Sequence, residues 1–171
     1  MAVAEKILLG YGVVTVANQP IGLTRGGSSF VVEREIRQVE ADGDRGPVKG
    51  RQVIDTEIAK LTVNALELFT AAEMTKYYPG MSVTPDNGTT PTTNVMTSAL
   101  EIAAGDYNDV KWEGKTKDGK KVTILVKDAI NIDNLEWTLE DKNEAVASLG
   151  FTASYDETDR NLAPWNVSFE V

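Results

Sequence analysis

The residues best equipped for chemistry in this 171-residue chain are carboxylates, and they come in close sets: Glu33 with Glu35, Asp55 with Glu57, and Asp156, Glu157 and Asp159 together. Two carboxylates facing across a cleft can cleave a glycosidic bond, one as acid and the other as base or nucleophile. Acids two apart on a strand share a face, and there they line a solvated stripe instead. The chain has no histidine and no cysteine. That removes the commonest general base near neutral pH, the thiol nucleophile, the thiolate metal site and any disulfide. The residues therefore read as a protein without catalysis, bound metal or cofactor.

Smaller fragments of motifs fail on inspection. Asp42-Gly43-Asp44-Arg45-Gly46 opens like a calcium loop, but the third acid is missing and the twelfth position is Val53 rather than glutamate. Gly10-Tyr11-Gly12 matches a potassium filter only in letters. Arg25-Gly26-Gly27-Ser28-Ser29 offers backbone amides to a phosphate, yet lacks the lysine and the following helix of a phosphate loop. It reads as a tight turn. Asn87-Gly88-Thr89 and Asn166-Val167-Ser168 are glycosylation sequons, which matter only in a secretory pathway.

The net charge of −9 is unevenly placed. Residues 1–60 carry eight basic and eight acidic side chains, whereas residues 128–159 carry nine acids against Lys142 alone. Five of the six arginines lie between Arg25 and Arg51. An acidic chain with one local basic segment repels nucleic acid as a whole. Such a division suits head-to-tail contact between copies, or simple solubility. With 42% apolar and 25% charged residues, the chain fits one globular domain over 1–171. No apolar run approaches the ~20 residues of a membrane-spanning helix, so no membrane partner is expected. The N-terminal stretch alternates and reads as a strand rather than a signal peptide, which makes the cytoplasm the default compartment.

The elements that must carry these side chains are mostly strands. Trp165, Val167, Phe169 and Val171 alternate with Asn166, Ser168 and Glu170. Ala147, Leu149, Phe151, Ala153 and Tyr155 alternate likewise, as do Leu135, Trp137 and Leu139 against Glu136 and Glu140. Each predicts a strand with one wet face, and core packing for Trp137 and Trp165. Residues 110–117 and 120–127 flank Asp118-Gly119, a dipeptide suited to a two-residue turn with both residues left-handed. Residues 28–40 and 51–68 predict a longer hairpin whose faces are both half apolar: Glu33, Glu35 and Arg37 on one, Phe30, Val32, Arg34 and Ile36 on the other. One helix is signalled from Thr70, with Glu73 completing a capping box, Phe69 placed to staple onto Met74, and Pro79-Gly80 as the stop. Residues 84–94 read as a long surface loop. The sum is a mainly β protein, an antiparallel sandwich or partial barrel with one short flanking helix and a long protruding hairpin loop.

The tip of that hairpin, residues 40–53, mixes Glu40, Asp42, Asp44, Arg45, Lys49 and Arg51 with three glycines and Pro47. Its composition predicts a loop with no fixed shape of its own, ordered by a partner or left as a solvated tip. Here the wording of the chain becomes specific. Ile21 to Leu68, "YNDVKWEGKTKDGKKVTILV" and "NLEWTLEDKNEAVASLGFTASYD" resemble the major tail tube protein of long, non-contractile-tailed bacteriophages, whose fold is similar to the tubes of contractile tails and of the type VI secretion system.

The resemblance implies a structural virion protein made in the host cytoplasm. Copies would join as homohexameric rings, stack into a tube, and meet tail terminator, tape measure and tail tip proteins. Viral DNA would pass through an acidic lumen during ejection without specific binding. It further implies that the hairpin tip, with Asp42, Asp44, Arg45, Pro47, Lys49 and Arg51, reaches the neighbouring ring. Glu33, Glu35, Asp55 and Glu57 are then the candidates for the lumen. The competing reading is a β-sandwich module of carbohydrate-binding or adhesin type, which would display aromatic residues on one face.

Overall fold

The computed structural model describes residues 6–66, 70–88 and 90–171. The start of the N-terminal strand, the end of the second long strand, the Phe69 staple and Thr89 of the first sequon lie outside the described residues. The chain runs β1 (Leu8–Val16), β2 (Gln19–Pro20), β3 (Thr24–Gln38), β4 (Gln52–Ala65), α1 (Ala71–Tyr77), β5 (Met81–Asp86), β6 (Thr93–Ser98), a 3₁₀ turn at Ala104–Asp106, β7 (Asn108–Thr116), β8 (Lys121–Asn131), β9 (Ala147–Thr152) and β10 (Trp165–Phe169). Every pairing among them is antiparallel.

Strand β8 belongs to two sheets. Its first half lies between β7 and β10, while Ile130 and Asn131 pair with Thr152 and Phe151 of β9, so the strand order is β2-β1-β7-β8-β9-β4-β3. The change of sheet happens at a bulge. Asn108 pairs with Ala129 but Val110 pairs with Val126, which leaves one residue more on β8, and Asp128 sits at φ 44°. A bulge with a left-handed residue bends a strand sharply, and here it folds the ribbon into two facing, open sheets. Val14, Val16, Val110, Trp112, Val122 and Val126 from one sheet meet Leu61, Val63, Leu149 and Phe151 from the other, and all are buried.

Helix α1 closes one end of this core. Thr70 caps it, accepting from the Glu73 amide, while the Glu73 carboxylate accepts from the Thr70 amide at 2.7 Å, so the capping box is complete. Its buried face carries Met74 and Tyr77, the latter edge-on to Phe151 with ring centroids 6.4 Å apart. Burial, with a smaller push from Glu73, raises the Tyr77 hydroxyl to about 12. Asn131 locks the helix to the sheet corner. Its amide donates to the Tyr77 carbonyl at 2.7 Å, and its oxygen accepts from the amides of Asp133 and Gly150. These three hydrogen bonds offset most of the cost of burying the amide.

Three sequence expectations need correction. The Asp118-Gly119 turn has three loop residues, with the Gly119 amide donating to the Thr116 carbonyl and the Thr116 amide to Lys120; of the pair only Gly119 is left-handed. The two-residue turn with both residues left-handed lies instead at Ala17-Asn18, φ 49° and 63°, between the paired Val16 and Gln19. Residues 84–94 are not one long loop. Residues 84–86 and 93–94 extend a β5–β6 hairpin in which Thr84 pairs with Val95 and Asp86 with Thr93. Residues 134–140 form no strand despite their alternation, and Trp137 is 40% exposed rather than in the core. Trp165 is packed as expected, tilted against Phe30 at 5.8 Å.

Candidate functional site

The β3–β4 hairpin carries every candidate for the lumen and for the contact with a neighbouring ring. Its proximal half belongs to the sandwich: Ala59, Leu61, Val63 and Ala65 are buried, and β9 covers β4 from Lys60 to Ala65. Beyond Ala59 the hairpin leaves the body. Val31 and Ile58 on one face, and Ile36 and Ile54 on the other, stand 47–59% exposed. The outer edge of β3 has no strand beside it among the described residues over its whole length.

Register sorts the four acidic candidates. Glu33 pairs with Ile58 and Glu35 with Thr56, whose hydroxyl donates to the Glu35 carboxylate, so both acids share one solvent-facing side. Asp55 is the extra residue of a bulge: Glu35 pairs with Thr56 and Ile36 with Ile54. Its carboxylate accepts from Arg37 Nε at 2.9 Å. Glu57 is placed otherwise. It pairs with Arg34 on the opposite face, accepting from Arg34 Nε at 2.6 Å through one oxygen and from Trp165 Nε1 at 2.8 Å through the other. Its side chain is only 14% exposed.

The Trp165 hydrogen bond, and then the Arg34 guanidinium, hold the Glu57 carboxyl below its ordinary range against the opposing effect of partial burial. Its backbone carbonyl also accepts from the Tyr155 hydroxyl at 3.1 Å. Glu57 therefore ties the root of the protruding half to β10 and to the segment after β9. Sequence spacing put Glu57 with Asp55 on adjacent positions of one strand but gave no sign of Trp165, which is 108 residues away.

The tip has more internal order than its glycines predict. Asp44 accepts from the Ala41 amide at 2.9 Å and from Arg51 at 2.6 Å, the Asp44 amide donates to the Ala41 carbonyl, and Val39 closes the loop onto the Arg51 carbonyl. Gly43 and Gly50, at φ 92° and 85°, supply the left-handed corners. Arg51 and Asp44 thus shape the loop. Asp42, Arg45 and Lys49 are exposed and form no ion pair with any described residue. Pro47 lies exposed between them.

The remaining acids do not form a reactive cluster. Asp156 bonds to the amide and hydroxyl of Thr158, and Glu157 approaches only Arg160 at 3.9 Å. Among the described residues no three carboxylates come together as a metal cage. Nor do the tryptophans build a platform: Trp112 is buried, Trp165 is packed on Phe30, and Trp137 stands apart beside Tyr78.

No family model and no curated protein sequence matches the chain. Solved structures do share its fold. The tube-terminating cap of the anti-feeding prophage superposes with a TM-score of 0.59 at 12% identity, covering 99% of this chain and 95% of the cap chain. A chain of the sheath–tube complex of the PVC extracellular contractile injection system, in its extended state, gives 0.54 at 10% identity, with 96% and 90% covered. The fold of this chain is that of phage-like tail and injection-system components.

Proposed function

We propose that this chain, acting as a single domain, is a structural subunit of a phage-like tail tube and performs no catalysis. Copies join side by side into six-membered rings, and the rings stack into a tube that conducts viral DNA. The observation that carries this reading is the protruding half of the β3–β4 hairpin. It exposes isoleucine and valine on both faces and ends one sheet with a 15-residue strand whose outer side has no strand beside it among the described residues. Free edges of that length are templates for pairing. Full burial of one such side chain contributes about 1.5–3 kcal/mol, and Ile36 and Ile54, each already about half buried, would together add roughly that much on docking and offset part of the entropy lost.

The geometry supports a division of roles within the hairpin. Glu33, Glu35 and Asp55 share the side that we assign to the lumen, where like charge keeps DNA phosphates from adhering. Glu57 is occupied on the other face and holds the hairpin's root instead. Arg45, Lys49 and Asp42, with Pro47 between them, are the contacts offered to the next ring, while Asp44 and Arg51 keep the tip in shape. A second reading is a terminating cap that forms one ring and stops, favoured by the superposition on the tube-terminating cap.

Negative-stain electron microscopy and sedimentation of concentrated protein test this. Tubes with a central channel are expected from the wild type, and single rings from an Arg45→Glu/Lys49→Glu variant, which spares the shape-giving Arg51. Single rings from the wild type as well would favour the cap. Monomers at every concentration would overturn both readings.

A further inference from the structure

Asn87-Gly88, the head of the first sequon, lies apart from the β3–β4 hairpin, where the β5–β6 hairpin opens. Pairing ends at Asp86 and Thr93, every described residue between them is exposed, and the two strands join no other sheet among the described residues. Such a turn can change shape without disturbing the sandwich. Asn87 alone among the chain's asparagines precedes glycine. Asparagine is thermolabile because its side-chain amide lies within reach of the next backbone nitrogen. Glycine, with no Cβ, leaves that approach unhindered.

Hydrogen bonding at the turn favours the same reaction. The Asn87 side chain has no hydrogen bond to any described residue. The Gly88 amide donates to Asp86 Oδ1 at 3.0 Å rather than to a carbonyl of the ladder. Rotation of one exposed side chain releases it, and no strand pairing is lost. Two other places show the contrast. Asn131 is buried, with its amide nitrogen and its oxygen both bonded. At Asp118-Gly119 the glycine amide donates to the Thr116 carbonyl at 2.9 Å, and the hydrogen bond from the Thr116 hydroxyl holds the Asp118 carboxyl below its ordinary range. That carboxyl stays ionised, and a carboxylate resists nucleophilic attack.

We propose that Asn87 is a modification site at which the chain itself converts a side-chain amide to a carboxylate, and that Asp86 restrains the conversion by holding the attacking nitrogen. The Gly88 nitrogen attacks the side-chain carbonyl carbon of Asn87. A C–N bond to Gly88 forms, the bond to the amide nitrogen breaks, and ammonia leaves with the proton that Gly88 gave up. Water then opens the cyclic imide. Opening at the side-chain carbonyl gives aspartate. Opening at the backbone carbonyl gives isoaspartate, whose backbone is one carbon longer. Water is the sole co-reactant, and nothing is oxidised or reduced. Either product sets a new carboxylate beside Asp86 at the hairpin's open end. The inference is independent of the tube reading.

Incubation of the full chain at mildly alkaline pH, followed by peptide mapping in a mass spectrometer, tests this. Conversion is expected at Asn87 ahead of every other asparagine and ahead of isomerisation at Asp118, with isoaspartyl methyltransferase labelling the same peptide. Gly88→Ala should slow it at least about tenfold, because the added Cβ stands beside the attacking nitrogen and 3.2 Å from Asp86 Oδ1. Gly88 is exposed and its φ is outside the left-handed region, so that variant folds. Asp86→Ala should quicken conversion about two- to fivefold, the rate equivalent of one exposed hydrogen bond to a carboxylate. Earlier conversion of any other asparagine, or a Gly88→Ala rate equal to that of the wild type, would overturn the site. A slower Asp86→Ala variant would overturn the restraint and make the carboxylate a base for the attack.

Discussion

From Ala59 to Ala65, strand β4 buries every second residue and has β9 along its far edge. From Gln52 to Ile58 the same strand, still paired to β3, buries none, although Val53, Ile54 and Ile58 are as apolar as anything in the core. The proximal half is stabilised by its own chain. The distal half has the composition of an interior with no interior around it. Hydrophobic pattern reports how much surface wants to leave water, and says nothing about whether the cover belongs to the same molecule.

Substitution separates the halves most sharply in the core. Leu61→Ala removes a fully buried side chain and should destabilise the subunit by roughly 2–5 kcal/mol. Ile54→Ala, five positions further out than Ala59, should stay within about 0.5 kcal/mol. Urea unfolding of both variants at low protein concentration measures the contrast. Equal losses would mean the distal half is already covered in the free subunit, and the comparison would fail.

The distal half should show its worth only on association. Ile36→Asp with Ile54→Asp puts charges on one exposed face and should leave the urea midpoint nearly unchanged. Burying an unpaired charge at a contact costs several kcal/mol, so assembly should need at least about a hundredfold more protein. Sedimentation against concentration reads this directly. Association at the wild-type concentration would show that this face stays wet.

The same distinction decides what was legible in the sequence. Period-2 patterns located β9 and β10, two strand-like runs bracketing a glycine-rich polar loop located the β3–β4 hairpin, and local cap chemistry located α1, because each rests on neighbours a few residues apart. Residues 134–140 carry an equally clean pattern and form no strand, since alternation by itself supplies no partner edge. Ala17-Asn18 escaped notice because alanine rarely accepts a left-handed turn. The acidic candidates were found by type, but their sorting was not. The pairing of Glu57 with Arg34 puts it on the opposite face from Glu33 and Glu35, and the bulge separates Asp55 from it.

Glu57 sits at the boundary between the halves, and its effect should be intermediate. Glu57→Gln weakens two charge-assisted hydrogen bonds and should cost about 1–2 kcal/mol. The carboxyl's folded pKa lies below its ordinary 4.5, so its stabilisation is complete above that value and is lost as pH falls through the lower folded value. The gap in stability between wild type and variant should therefore be constant near neutrality and close in acid below about 4.5. A gap that persists unchanged to the acid limit would mean the hydrogen bonds do not depend on the charge.

The smallest effect belongs to the tip, where the comparison becomes one between shape and contact. Asp44 holds the Ala41 amide and Arg51, both in a solvated loop, so Asp44→Ala should loosen the tip by only about 0.5–1 kcal/mol, since exposed ion pairs are worth little. Global unfolding should not register it, because the loop opens without disturbing the sandwich. Amide exchange at Ala41 should quicken about two- to fivefold, the rate equivalent of that energy. Lys49→Glu, which removes no ion pair with any described residue, should leave exchange at Ala41 untouched and change only how association responds to salt. If Lys49→Glu loosens Ala41 as much as Asp44→Ala does, the division between residues that shape the tip and residues that reach beyond it is wrong.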